Sequence, residues 1–186
     1  MIIYIHGFGS SGQGGKAELF RKYFKKQNIP FIAPSLSFVP DLAIYTLEEL
    51  IGSYDNVSLI GSSLGGFYSI YLSKKFNIKA VLINPAIESE KTLKRHIFLK
   101  EYATNYYDGS SFVWRETHLD MLKKLSIETP KEENLLLLLQ KGDEILDYKD
   151  ALKKLPNTKT IIEDGGNHSF EGIDRYLDNV KNFINN

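Results

Sequence analysis

Two apolar runs, Val81-Leu82-Ile83 and Leu135 to Leu139, contain no polar residue. A strand with one wet face alternates apolar and polar side chains, so an unbroken run reads as a strand covered on both faces. Short β-rich runs of this kind recur along the chain and predict strands at 2–6, 31–33, 57–60, 80–83, 135–140 and 160–163. Amphipathic segments separate them and predict helices at about 16–27, 42–53, 65–75, 148–155 and 172–184. In the first helix Leu19, Phe20, Tyr23 and Phe24 share one face, opposite lysines and an arginine. Asp147 stands as an N-cap before the fourth helix, with Asp150 in its first turn. All six prolines fall at or near element boundaries. Alternation of strand and helix places the chain in the α/β class, with a mostly parallel sheet between helical layers and one domain over residues 1–186. The 42% hydrophobic content is enough to cover such a sheet on both sides.

Residues 87–133 break the alternation, because they separate two strands by far more than one crossover helix needs. The stretch holds the only tryptophan, Trp114, and the aromatic residues Tyr102, Tyr106, Tyr107 and Phe112. We read it as a mostly helical insertion that caps a site. The competing reading is an elaborated crossover packed on the sheet, in which the aromatic residues form core rather than an apolar pocket.

Charge and composition remove several classes of function. The chain carries 23 basic and 23 acidic residues in no obvious blocks, whereas nucleic acid or an anionic membrane surface needs a basic patch. With no cysteine, disulfides, thiolate metal sites and cysteine nucleophiles are excluded. The N-terminal MIIYIHGFG lacks a basic n-region and a long apolar h-region, and no aliphatic run could cross a bilayer. These features lead us to expect a cytoplasmic protein with a small-molecule substrate. Oligomeric state is left open.

The chemistry is carried by Val57-Ser58-Leu59-Ile60-Gly61-Ser62-Ser63-Leu64-Gly65-Gly66. Gly61 to Gly65 fits G-x-S-x-G between an apolar strand and a helical pattern, the setting of a nucleophile elbow centred on Ser63. In such a turn the residues two before and two after the serine approach closely, so both must be small. The helix N-terminus beneath the hydroxyl favours developing negative charge. Choosing Ser62 instead would put Leu64 at a position that must be small. The competing reading is a Gly/Ser-rich turn with no chemistry.

A serine nucleophile needs a base, and of four histidines His168 follows the last strand and precedes the last helix. His96 and His118 lie in the insertion, where surface or packing roles suit them better. The acid belongs after the penultimate strand, where Lys141-Gly142-Asp143-Glu144 points to Asp143; Glu144 and Asp147 compete, and Asp147 already serves as a cap. Asp143 could also be only a turn residue bonding its own backbone. Leu64 N–H and Phe8 N–H, the latter in His6-Gly7-Phe8-Gly9, are the candidate oxyanion donors. His6 is expected to make local hydrogen bonds.

Two look-alikes fail. Gly7-x-Gly9-x-x-Gly12 follows a strand, but the second strand ends Ile32-Ala33-Pro34-Ser35 without the acid a dinucleotide ribose needs. Gly15-Lys16 is preceded by Ser10 at the first P-loop position and followed by Ala17.

Taken together, YIHGFGSS, IGSSLGGFYSIYL, VLINPA, LLQKGDEILDY and EDGGNHSFEG resemble the small bacterial YqiA/YcfP-like esterases of the α/β-hydrolase superfamily over nearly the whole chain. The resemblance implies an α/β-hydrolase fold and hydrolysis of an ester or thioester, and it carries over Ser63, Asp143 and His168. By analogy the six strands order 2-1-3-4-5-6, with a switch point between the first and third where Phe8 and Ser63 meet. The leading hairpin strands of larger hydrolases are not expected. The implied reaction is acyl transfer to water through an acyl-enzyme, with no cofactor and no metal, and it slows as His168 protonates in acid. Two alternatives stay open: an acyltransferase using the same acyl-enzyme, and a non-catalytic binding module on the same fold.

Overall fold

The structure, a computed structural model, describes residues 1–99 and 102–185, with the backbone alone at residues 95, 98 and 99. Its strands are β1 (Ile2–Ile5), β2 (Phe31–Ile32), β3 (Ser58–Ser62), β4 (Ala80–Ile83), β5 (Tyr102–Thr104), β6 (Ser111–Val113), β7 (Leu135–Gln140) and β8 (Lys159–Glu163). Its helices are α1 (Gly15–Lys26), α2 (Pro40–Gly52), α3 (Leu64–Phe76), α4 (Ser89–Leu99), α5 (Glu116–Lys124), α6 (Tyr148–Lys154) and α7 (Leu177–Asn185). A 3-10 turn, Ile173–Tyr176, leads into α7, where a single helix was expected.

Six strands form one sheet in the order β2-β1-β3-β4-β7-β8, every pair parallel. Apart from the two insertion strands, this is the expected order 2-1-3-4-5-6. Register sets the working edge: Ile5 lies opposite Gly61, and Ser62 opposite Ile83, so the segments leaving β1, β3 and β4 emerge together.

Successive side chains of a strand point to opposite faces, and in the central strands β1, β3, β4 and β7 both faces are dry. Ile2, Tyr4, Ile60, Val81, Ile83, Leu136 and Leu138 point to one side, where Phe20 and Phe24 of α1 and Val180 of α7 cover them. Ile3, Ile5, Leu59, Leu82, Leu135, Leu137 and Leu139 point to the other, against Leu47 of α2, Leu72 of α3 and Ala151 of α6. The unbroken leucine run is thereby explained: alternate leucines serve different cores, each side chain gaining roughly 1.5–3 kcal/mol on burial. Asp147 caps α6, accepting from Lys149 N at 3.0 Å, as its position before that helix suggested.

The insertion has helices at its two ends, α4 and α5, with an antiparallel hairpin of β5 and β6 between them. The helices were anticipated and the hairpin was not. Leu93, Ala103, Trp114, Leu119 and Leu122 join the core on the α2–α3 side of the sheet. Among the described residues no helix is long and apolar enough to cross a membrane.

Candidate active site

β3 runs two residues beyond its predicted end and delivers Ser63 at a backbone conformation of φ 55°, ψ −119°. A non-glycine residue at positive φ is strained and persists only where its surroundings hold it. They do so through small residues. A Cβ on Gly61 would stand 2.2 Å from Gly65 O, and one on Gly65 would stand 2.0 Å from Ile5 O. A side chain on Gly61 would force α3 away from β3, and one on Gly65 would force α3 away from β1. The expected close approach of positions two before and two after Ser63 is therefore present. Ser62, the rival hydroxyl, is the last residue of β3, buried, with its side chain beside the Tyr4 hydroxyl.

Segments from three strand ends bring Ser63, His168 and Asp143 into line. His168 Nε2 lies 3.0 Å from Ser63 Oγ, and His168 Nδ1 lies 2.9 and 2.8 Å from the two Asp143 carboxylate oxygens. An ionised carboxylate only accepts, so Nδ1 carries the proton and the Nε2 lone pair faces the serine hydroxyl. Asp143 Oδ1 also accepts from Ile145 N at 2.8 Å and Leu146 N at 2.9 Å. Burial alone would raise this carboxyl, but the His168 bond and the Leu146 and Ile145 N–H groups outweigh it and hold it below its ordinary range. Glu144, a competitor for the acid in the sequence, instead anchors the loop backbone, where its Oε2 accepts from His168 N at 2.9 Å.

Two buried amides behind His168 were missed in the sequence. Gln140 Oε1 accepts from Asn167 N at 3.1 Å and Glu171 N at 2.8 Å, while Nε2 donates to Glu163 Oε2 at 2.6 Å and Glu171 O at 2.7 Å. Asn84 Nδ2 donates to Asn167 O at 3.0 Å and His168 O at 3.3 Å, and its Oδ1 accepts from Gln140 N at 3.0 Å. The loop carrying His168 is thus pinned on both sides to the ends of β4 and β7. One signal was present: a lone glutamine closing a run of five leucines must find partners when buried.

The loop after β1 lies against the elbow. A Cβ on Gly7 would stand 3.2 Å from Ser63 Cβ. Among the described residues the Phe8 and Leu64 N–H groups have no protein acceptor. His6 is buried and makes one local bond of the kind expected, Nδ1 donating to Gly7 O at 2.8 Å, and one long-range bond that was not, Nε2 accepting from Leu36 N at 2.9 Å. Burial lowers the His6 pKa despite the Gly7 bond, which favours this neutral ring.

Ser63, His168, Phe8 and Leu64 line a cavity of about 460 Å³. The insertion supplies Thr92, Leu93, His96 and Tyr106 to the same wall. A smaller cavity of about 200 Å³ lies across Phe8, bordered by Leu36, Phe38, Tyr68 and Phe112. The aromatic residues of the insertion divide into two sets. Trp114 and Phe112 pack edge-on against Phe8 at 4.8 and 5.3 Å between ring centres. Tyr102, Tyr106 and Tyr107 are exposed, although Tyr106 N donates to Gly9 O at 2.7 Å and fastens the hairpin to the β1 loop. His118 is a packing residue, buried beside Trp114, with Nδ1 accepting from Arg115 N at 3.2 Å.

A family model described as the uncharacterised protein family UPF0227 matches residues 1–185. The chain belongs to the UPF0227 family. This is the YqiA-like group that its motifs resemble. A UPF0227 protein of Vibrio campbellii is 28% identical over 191 residues, spanning 100% of this chain and 99% of its relative. Among solved structures, Est1E from Butyrivibrio proteoclasticus with ferulic acid bound superposes with a TM-score of 0.78 at 13% identity, covering 98% of this chain and 87% of that one. The α/β-hydrolase domain-containing protein 10 from mouse superposes with the same TM-score of 0.78 at 18% identity, covering 99% and 89%. This UPF0227 member has the α/β-hydrolase fold.

Proposed function

We propose that the protein is a serine esterase acting on carboxylic esters or thioesters. The observation that carries this reading is the continuous hydrogen-bonded line Asp143–His168–Ser63 on the wall of a cavity. His168 Nε2 takes the Ser63 proton as Oγ attacks the carbonyl carbon. The tetrahedral oxyanion is received by the Phe8 and Leu64 N–H groups, which have no other acceptor among the described residues. Collapse of the intermediate expels the alcohol or thiol, which takes the proton from His168 and leaves Ser63 acylated. A water deprotonated by His168 then attacks the acyl carbon, the Oγ–acyl bond breaks as Ser63 recovers its proton from His168, and the acid leaves. Asp143 stabilises the imidazolium formed in each half-reaction and holds the required tautomer.

Residues 87–133 act in this reading as a cap. The support is their contribution of Thr92, Leu93, His96 and Tyr106 to the cavity that contains Ser63. A protein of similar fold described as an esterase, PF2001 of Pyrococcus furiosus, agrees with the reading.

The test is steady-state hydrolysis of short-chain para-nitrophenyl esters. Ser63→Ala should lower kcat by about 10⁴-fold or more, whereas Ser62→Ala should retain turnover within about 10-fold. The reverse pattern would move the nucleophile to Ser62.

A further inference from the structure

Lys16, in the first turn of α1, belongs to the sequence stretch that fails as a P-loop, and the hydrolysis scheme above gives it no role. The fold nonetheless brings it to the wall of the cavity that holds Ser63 and His168. Its ammonium donates to Ser169 O at 2.7 Å, on the loop that carries His168. That single carbonyl uses one of three donors.

No carboxylate lies within ion-pairing distance of Lys16 among the described residues. The two nearby acids are engaged elsewhere: Asp143 on His168 and backbone N–H groups, and Glu144 on His168 N. Lys16 is the only lysine or arginine among the described residues of the cavity wall, which Tyr4, Ser10 and Ser62 also border. Other parts of the wall, Ala86, Leu93, Ile145 and Leu146, are apolar. A half-buried ammonium with no carboxylate in contact gains when something negative comes to it.

We propose that Lys16 is a specificity residue, its free donors receiving a carboxylate carried by the ester substrate. The inference rests on the esterase reading and narrows it to substrates with an anionic group beside an apolar segment. Burial pushes the Lys16 ammonium down to about 8, only partly offset by Asp143, so its charge changes within an accessible range. The other titratable groups around it are Tyr4 on β1, Asp143 and Glu144 after β7, His168 after β8, and His96 and Tyr106 in the insertion.

The experiment compares matched pairs of esters that differ only in a terminal methyl or carboxylate. One pair places the group on the acyl side, para-nitrophenyl hexanoate against the para-nitrophenyl monoester of adipic acid. The other places it on the leaving alcohol. In at least one pair the wild-type kcat/KM should favour the carboxylate ester, and Lys16→Met should reduce that preference by about 10- to 100-fold. The wild-type preference should also fall as pH rises through about 8, because the ammonium loses its proton there. Taking the ratio within a pair cancels any pH dependence of the catalytic steps that both esters share.

Equal losses on both members of each pair would make Lys16 a strut for the His168 loop and overturn the proposal. So would Ser63-dependent turnover with no carboxylate preference in the wild type, which would leave the esterase reading standing. Absence of Ser63-dependent turnover on every ester would overturn the esterase reading, and this inference with it.

Discussion

On the sheet side of the cavity the His168 loop is held from behind by buried polar side chains, whereas the insertion hairpin meets the β1 loop through ring packing, one backbone bond and an exposed Tyr107–Gln13 contact. Gln140 uses all four hydrogen-bonding sites of its amide on its surroundings, and Asn84 ties both Asn167 and His168 to β4 and β7. Across the cavity, Trp114 and Phe112 lean on Phe8, and Tyr106 N bonds Gly9 O. Directional bonds to buried groups fix an atom's place to tenths of an ångström, while packing of apolar faces tolerates substitution of shape. In the proposed reading the sheet side carries the reaction, and the choice of substrate is shared between the insertion side and Lys16 of α1. Perturbing one should lower kcat, and perturbing the other should raise KM.

The largest expected effect on kcat away from the reacting atoms is at Gln140. Gln140→Leu leaves the Asn167 and Glu171 N–H groups without their acceptor and should cost about 2–4 kcal/mol of stability by chemical denaturation. With the His168 loop released, kcat should drop by about 10- to 100-fold and KM change little. A variant that raised KM alone would break the comparison. Next comes Trp114→Ala, which removes a ring only 3% exposed and should cost about 3–5 kcal/mol. Its kinetic signature should be a rise in KM larger than the fall in kcat, measured below the melting range of the variant. A pure kcat loss would place Trp114 with the catalytic supports.

These two positions also mark where the chain could be read and where it could not. The elbow was legible because its constraint is local: two close approaches demand glycines four residues apart, and Gly61 and Gly65 meet them. The end of β7, which places Asp143, was legible because both faces of the central strands are dry, whereas β8, which leads to His168, is a half-exposed edge strand legible from Thr160-Ile161-Ile162. The hairpin was not legible, because β5 and β6 are three residues each and their burial does not alternate cleanly. Gln140 read only as the last residue of a strand, since its partners on Asn167, Glu171 and Glu163 are 23 to 31 residues away. Lys16 was judged against a phosphate-binding pattern, and nothing nearby in sequence signals the Ser169 carbonyl. Long-range polar contacts leave little local trace.

A smaller effect concerns pH. Hydrogen bonds from Gln140, then Tyr176 and Arg175, hold the Glu163 carboxyl down at about 2 against an ordinary 4.5. Its folded pKa is depressed, so its stabilising contribution is fully present above about 4.5 and is lost as pH falls toward about 2. Asp143, also depressed, acts in the same direction. Glu163→Gln should therefore lower stability at neutral pH and flatten the acid limb of a stability–pH curve. An unchanged acid limb would detach Glu163 from the support of the His168 loop. The smallest effect should be at Tyr107, 52% exposed, where Tyr107→Ala should change stability by less than about 0.5 kcal/mol.

The central claim is that the Asp143–His168 pair activates Ser63 and no other hydroxyl. Intact-mass spectrometry after treatment with a fluorophosphonate, followed by peptide mapping, tests it most directly. The account predicts one adduct, on Ser63, lost in Ser63→Ala and in His168→Ala. An adduct on Ser62, or folded protein that takes none, would contradict it.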